Sequence, residues 1–263
     1  MYLDEIIAHK QRVWSGDPAS PTVTKRPNHG RFAAAVALPG MSVIAEVKPA
    51  SPSKGQLLST DDAVPVARKY AAYGARAVSV LAEDRFFGGS PELVKRVSTD
   101  RGVDVPVLYK DFVVDPRQVS LAANSGAAAL LIIVRAVDDE LLGELLKDAA
   151  EAGLDALVET FSEQDVERAL SAGATIIGVN NRDLQDFSVD LDRGARIRES
   201  VPRGVLTVSE SGIGTADDLR RVAEAGFDAC LVGESLLRAA DPGVALRTLL
   251  TGDPSRSQAG VAA

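Results

Sequence analysis

The sequence predicts an α/β protein in which eight parallel strands alternate with helices and close into a (β/α)8 barrel, and three observations predict it. The first is a repeated junction. Gly74, Gly126, Gly153, Gly173 and Gly226 each follow an amphipathic stretch and precede a short aliphatic run. A helix that ends just ahead of a strand needs a left-handed residue there, which glycine adopts at little steric cost. The second is spacing: the intervals from Gly74 to Gly126 and from Gly173 to Gly226 each leave room for two βα units. The third is composition. A hydrophobic share of 46% with only 5% aromatic residues implies a core of Val, Leu, Ile and Ala, which suits parallel strands covered by helices.

Taken in order, the chain opens with an extension, residues 1–41. Leu3, Ile6, Ile7 and Trp14 recur near helical spacing and predict a helix over residues 2–14. Residues 15–28 are rich in Pro, Ser and Thr and read as a loop, and a second short helix is expected over 32–38. Together the two helices are read as a plug over one barrel end. The barrel itself is placed at 42–251, with strands at 42–47, 77–81, 105–109, 128–134, 155–158, 176–179, 205–209 and 229–232. Residues 252–263, mostly Gly, Ser, Ala and Pro, are read as a disordered tail. An open doubly wound sheet is the rival topology. It usually carries a glycine-rich first turn, whereas Gly212-Ile213-Gly214 has Asp217 where a third glycine should stand, so the barrel is preferred.

Charge and residue usage exclude several functions. The net charge is -8 and no basic run occurs, which argues against nucleic acid or an anionic membrane as partner. No apolar run is long enough to span a bilayer and no signal peptide is visible, so a cytoplasmic protein is expected, as monomer or weak homo-oligomer. The single cysteine, Cys230, lies inside an aliphatic run and reads as a buried structural thiol. His9 and His29 both precede the first strand, so neither a histidine-based triad nor a histidine-ligated zinc is expected. No metal and no cofactor are called for, and acid–base work falls to Lys and Glu.

In such a barrel, active sites form where strands end and βα loops begin. Period-two alternation in Val43-Ile44-Ala45-Glu46-Val47-Lys48 puts Ile44, Glu46 and Lys48 on one face. Lys110, Glu159, Asn180 with Arg182, and Glu210 with Ser211 close four later strands. Singly, each has an ordinary reading as a solvated loop residue. Together they place charged or amide groups at one set of strand ends while the glycines mark the other. Lys48 and Lys110 in one mouth are expected to repel, easing proton release toward neutrality. Loops after strands seven and eight, Ser211-Gly212-Ile213-Gly214 and Gly233-Glu234-Ser235, suit a phosphate dianion, and Ser51-Pro52-Ser53-Lys54-Gly55 could close over it. Tight-turn geometry is the bland reading of those glycines.

These motifs resemble the indole-3-glycerol phosphate synthase family. The resemblance rests on Ile44-Ala45-Glu46-Val47-Lys48 with Ser51-Pro52-Ser53-Lys54-Gly55, on Phe86-Phe87-Gly88-Gly89-Ser90, and on Lys110-Asp111-Phe112. Leu157-Val158-Glu159, Gly178-Val179-Asn180-Asn181-Arg182, Ser209-Glu210-Ser211-Gly212 and Val232-Gly233-Glu234-Ser235 continue it, in order from about residue 2 to 250. It implies a TIM barrel that converts 1-(2-carboxyphenylamino)-1-deoxyribulose 5-phosphate to indole-3-glycerol phosphate, carbon dioxide and water in tryptophan biosynthesis. It further implies Lys110 as general acid, Lys48 on the substrate carboxylate, and Glu159 or Glu46 as base. Asn180, Arg182, Glu210 and Ser211 would position substrate and charges, while Ser51, Gly212, Gly233, Glu234 and Ser235 would hold phosphate. Phe86, Phe112, Leu131, Ile133, Leu184 and Leu231 are the candidate walls for the aromatic ring, with barrel core as the ordinary use of the aliphatic ones.

The sequence departs from the family's pattern at Pro49, Tyr109 and Phe161 and in its extension, which leaves a modified substrate as the alternative. A neighbouring phosphate-binding barrel, phosphoribosylanthranilate isomerase, would want a cysteine and an aspartate at strand ends, and Cys230 is inside strand eight. A catalytically silent phosphate-binding barrel is the remaining alternative.

Overall fold

A computed structural model describes residues 2–16, 30–183 and 188–253. Eight strands form one closed parallel barrel. They are β1 (Ser42–Val47), β2 (Ala77–Leu81), β3 (Val107–Lys110), β4 (Ala129–Ile133), β5 (Asp155–Thr160), β6 (Ile176–Asn180), β7 (Leu206–Glu210) and β8 (Ala229–Val232). The order is sequential, with β8 pairing back onto β1 through Ser42↔Ala229 and Ala45↔Val232. Between them run α3 (Ala63–Ala72), α4 (Pro91–Ser98), α5 (Pro116–Asn124), α6 (Asp139–Ala152), α7 (Glu163–Ser171), α8 (Leu191–Glu199) and α9 (Ala216–Glu224); α10 (Glu234–Leu237) and α11 (Pro242–Thr251) follow β8, and α1 (Tyr2–Trp14) and α2 (Arg31–Val36) precede β1.

Local chemistry explains why each unit turns where it does. All five junction glycines take left-handed backbone, from φ 77° at Gly153 to φ 106° at Gly74. Ser90, Asp115, Asp138, Ser162, Asp190, Thr215 and Asp241 cap the helices that follow them, each accepting from a backbone N–H of the first turn. Each such cap contributes roughly 1 kcal/mol. Side chains alternate as the pleat requires: Val43, Ala45 and Val47 pack under the helices, whereas Ile44 joins Leu108, Leu131, Leu157, Val208 and Leu231 inside the barrel. Cys230 is in the outer layer, fully buried, and burial pushes its thiol pKa up.

The extension does not behave as one plug. α2 closes the N-terminal end of the barrel, where Phe32 and Val36 join the inner core. The Asp155 carboxylate at the start of β5 accepts from Gly30, Phe32 and Ala33 N–H, pinning the first turn of α2. α1 goes to the opposite end. Its Lys10 forms a 2.6 Å buried ion pair with Asp111, just after β3, and Arg117 at the start of α5 holds the Trp14 and Gly16 carbonyls. A two-helix amphipathic pattern cannot show that its halves part company. Part of the 15–28 loop and all but two residues of the 252–263 tail lie outside the described residues. Among the described residues, no helix is long and apolar enough to cross a membrane.

Candidate active site

The barrel register sets the site. Staggered parallel pairing places Ile133 beside Glu159, Asn180 beside Glu210, and Leu81 beside Lys110, so residues far apart in sequence end at one level. They open into a cavity of about 400 Å³ lined by Glu46, Lys48, Lys110, Glu159, Asn180 and Glu210, among others. Glu46, Glu159 and Glu210 are all nearly inaccessible, and charges removed from water in this way must find partners. Lys48 Nζ donates to Glu46 Oε1 at 2.6 Å. Lys110 Nζ stands 3.8 Å from Glu159 Oε2 and 3.9 Å from Glu210 Oε2, between two carboxylates rather than bonded to one. Asn180 donates to Glu159 Oε1 at 3.0 Å and uses its own Oδ1 to accept from the Arg182 backbone.

Glycine makes this crowding feasible at two points. A Cβ on Gly233 would come within 2.6 Å of Glu46 Oε1, and one on Gly178 within 2.2 Å of Glu210 Oε1. Beyond β7 the chain turns sharply. Ser211 is the one described non-glycine residue with positive φ, at 68°, a conformation costing about 1–3 kcal/mol. Asn181 holds it there, its Nδ2 donating to both the Glu210 and Ser211 carbonyls at 2.9 Å.

The electrostatics follow from who faces whom. Burial alone would raise the Glu46 carboxyl, but the charges of Lys48 and Lys110 outweigh it and hold it below the ordinary glutamate value. Burial would likewise lower Lys110, yet Glu159, Glu210 and Glu46 together raise it above the ordinary lysine value of 10.5. This corrects the expectation of an acidified lysine, which counted the two ammoniums and not the three carboxylates around them. Glu210 moves the other way from Glu46: burial and the neighbouring Glu159 charge raise it well above the ordinary value.

Of the other residues singled out from sequence, Ser51, Arg182, Ser211, Gly212, Gly233, Glu234, Ser235, Phe112, Leu131 and Leu231 all line the same cavity. Leu184 lies outside the described residues. Phe86 does not line the cavity. Its ring packs edge-on against His9 at 5.9 Å and under Arg85, and Phe87 takes the inward place, 6.0 Å from Phe112. The cause is Glu83, whose buried carboxylate accepts from the Arg85, Phe86 and Phe87 N–H groups and fixes the turn. Nothing in a Phe-Phe pair says which ring such a turn sends inward. Leu3 and Ile6 of α1 also line the cavity, and so does Arg238. The amphipathic pattern of α1 was a signal that it buries a face, without indicating against what.

The family model described as indole-3-glycerol phosphate synthase matches residues 4–249. Among curated relatives, indole-3-glycerol phosphate synthase 2 of Streptomyces coelicolor is 50% identical over 223 residues, covering 83% of this chain and 84% of the relative. The indole-3-glycerol phosphate synthase of Opitutus terrae is 45% identical over 252 residues, covering 91% of this chain and 95% of the relative. Solved structures share the fold at lower identity. The 3-hexulose-6-phosphate synthase of Salmonella typhimurium gives a TM-score of 0.66 at 17% identity, over 80% of this chain and 96% of that one. Thiamine phosphate pyrophosphorylase of Pyrococcus furiosus gives 0.61 at 19%, over 83% and 96%. With a match that runs nearly end to end and relatives of this identity, the chain belongs to the indole-3-glycerol phosphate synthase family.

Proposed function

We propose that this chain closes the indole ring of 1-(2-carboxyphenylamino)-1-deoxyribulose 5-phosphate, releasing carbon dioxide and water, with Lys110 as general acid and Glu159 as base. The observation that carries the reading is the convergence of Lys48, Lys110, Glu159 and Glu210 on one cavity that also holds the small residues of the loops after β7 and β8. Lys110, raised by its carboxylate neighbours, is an ammonium throughout the neutral range and so has a proton to give to the ribulose carbonyl oxygen as the aromatic carbon attacks. Until that proton is transferred, the same positive charge stabilises the negative charge developing on the oxygen.

Glu159 is preferred to Glu46 as base because Glu46 is committed to Lys48 at 2.6 Å and held below the ordinary range, which makes it a poor proton acceptor. Lys48 is partly exposed at the cavity and suits the substrate carboxylate, whose loss as carbon dioxide follows ring closure. Ser51, Gly212, Gly233, Glu234 and Ser235 would receive the phosphate. Leu131, Leu231, Phe112, Phe87 and, from α1, Leu3 and Ile6 would wall the aryl ring. The cysteine chemistry of a neighbouring isomerase finds no support, since Cys230 is buried in the outer layer with its thiol pushed up.

The test is direct. Supplied with the carboxyphenylamino-deoxyribulose phosphate, the protein should generate indole fluorescence, and Lys110→Ala should slow it by about 10²–10⁴-fold, the usual worth of a general acid. Equal rates from both proteins, or no indole from the folded wild type, would remove the proposal.

A further inference from the structure

We propose that Glu210 stands in the resting site as a neutral carboxylic acid bridged by its proton to Glu159, and that it is a positioning residue rather than a second base. Its role rests on the assignment of Glu159 above; the proton does not.

The first support is a count of charges. Of the buried carboxylates lining the mouth, Asp111 is paired with Lys10 of α1, which leaves Glu46, Glu159 and Glu210 beside Lys48 and Lys110. Lys48 is bonded to Glu46, which leaves Lys110 as the ammonium standing between the other two acids, at 3.8 and 3.9 Å. The charges acting on Glu210 are those of Glu159 from β5, Lys110 from β3 and Glu46 from β1. β6 offers it Gly178 and the neutral Asn180, whose amide is already given to Glu159, and β8 carries no charged residue. Two carboxylates at close range beside one ammonium in a low-dielectric site do not both ionise; one keeps a proton.

The second support decides which one keeps it. Glu159 Oε1 has a donor in Asn180, as a carboxylate requires, and its Oε2 faces Lys110. Glu210 Oε1 is buried with no hydrogen-bond partner, pressed into the space that Gly178 leaves by lacking a side chain. An ionised oxygen left bare in that position is heavily penalised, whereas the carbonyl oxygen of an acid tolerates it far better. Both carboxyls approach the same Lys110 Nζ, at 3.8 and 3.9 Å, and a hydrogen bond with Glu159 is among the causes that raise Glu210, so the proton on Glu210 has an acceptor there. The pair then carries one negative charge against one ammonium. Lys110 stays protonated, Glu159 stays the carboxylate, and the bridge fixes where Glu159 points.

Infrared spectra of the folded protein at neutral pH, taken as a difference against Glu210→Gln, should contain a carboxylic-acid carbonyl band that the variant lacks. Because an amide can donate the same bridge, Glu210→Gln should lower kcat by on the order of tenfold, well short of the 10²–10⁴-fold expected for a lost base in Glu159→Gln. Glu210→Ala, with no bridge, should fall further than Glu210→Gln. Absence of the acid band, or a Glu210→Gln loss as deep as that of Glu159→Gln, overturns the proposal. Should the variant not fold, carbon-13 NMR of wild type with labelled glutamate reads the same proton. One side-chain carboxyl titrating well above the ordinary 4.5 supports it, and none doing so overturns it. An acid band in a protein that makes no indole would keep the proton and remove only the activity.

Discussion

The two ends of the barrel use the same kinds of polar residue to opposite purposes. At the N-terminal end Asp155 accepts three backbone N–H groups, and Asp228 accepts the Thr207 backbone and hydroxyl at 2.8 Å. Ser42 donates to the Ala35 and Val36 carbonyls. Every one of these contacts ties chain to chain. At the C-terminal end Lys110 sits between two carboxylates without bonding closely to either, Glu210 keeps a bare oxygen, and Ser211 holds strained backbone. Polar groups that are satisfied by backbone hold the fold, and polar groups left under-coordinated beside a cavity are held ready for a ligand.

That contrast can be broken by substitution, and the largest separation is expected between Lys110→Ala and Asp155→Ala. The first should remove activity, as above. The second strips three donors of their acceptor at α2 and should cost about 2 kcal/mol of stability while leaving kcat near wild type, read by denaturant unfolding and indole fluorescence. An activity loss in Asp155→Ala larger than its stability loss would mean that the two ends are not separable.

Gly178→Ala sharpens the comparison from inside the mouth. Its Cβ would displace Glu210 Oε1, the free end of a flexible side chain, so stability should change little. The site should suffer more: a shifted carboxyl of this kind costs about 10- to 100-fold in kcat. Unchanged kinetics would show that the placement of Glu210 is irrelevant to turnover.

The smallest effect belongs to the outer surface, which serves neither end. A side-chain hydrogen bond from Arg68 and one from the Gly102 backbone hold Asp100 at about 2, below its ordinary 3.8. A carboxylate lowered on folding contributes stability above its unfolded value and loses it as pH falls through the folded one. The stability difference between wild type and Arg68→Ala should therefore be small at neutral pH and vanish as pH drops from about 4 to 2. A difference that grew on acidification would reverse the sign.

Much of the molecule is legible in its sequence, because the causes are local. A glycine ahead of an aliphatic run terminates a helix, and alternation through Ile44, Glu46 and Lys48 assigns a face; neither needs knowledge of distant residues. Strand ends moved by a residue or two, as at β3, which begins at Val107, and at β5, which runs on to Thr160. The charged groups at the strand ends follow from the same local logic once the barrel is accepted, whereas the walls do not: the sequence points to Phe86, and Phe87, Leu3 and Ile6 line the cavity instead.

What the tertiary structure alone decided was every property that depends on a meeting. α1 crosses to the mouth because Asp111 is there to neutralise Lys10, and Phe87 rather than Phe86 turns inward because Glu83 collects three N–H groups. The proton on Lys110 is held by the carboxylate charges of Glu159 on β5 and Glu46 on β1, whose separation along the chain hides their sum. Electrostatic energies fall with distance in space and take no account of distance in sequence, so the residues that would act could be named from the chain, but their charge states could not.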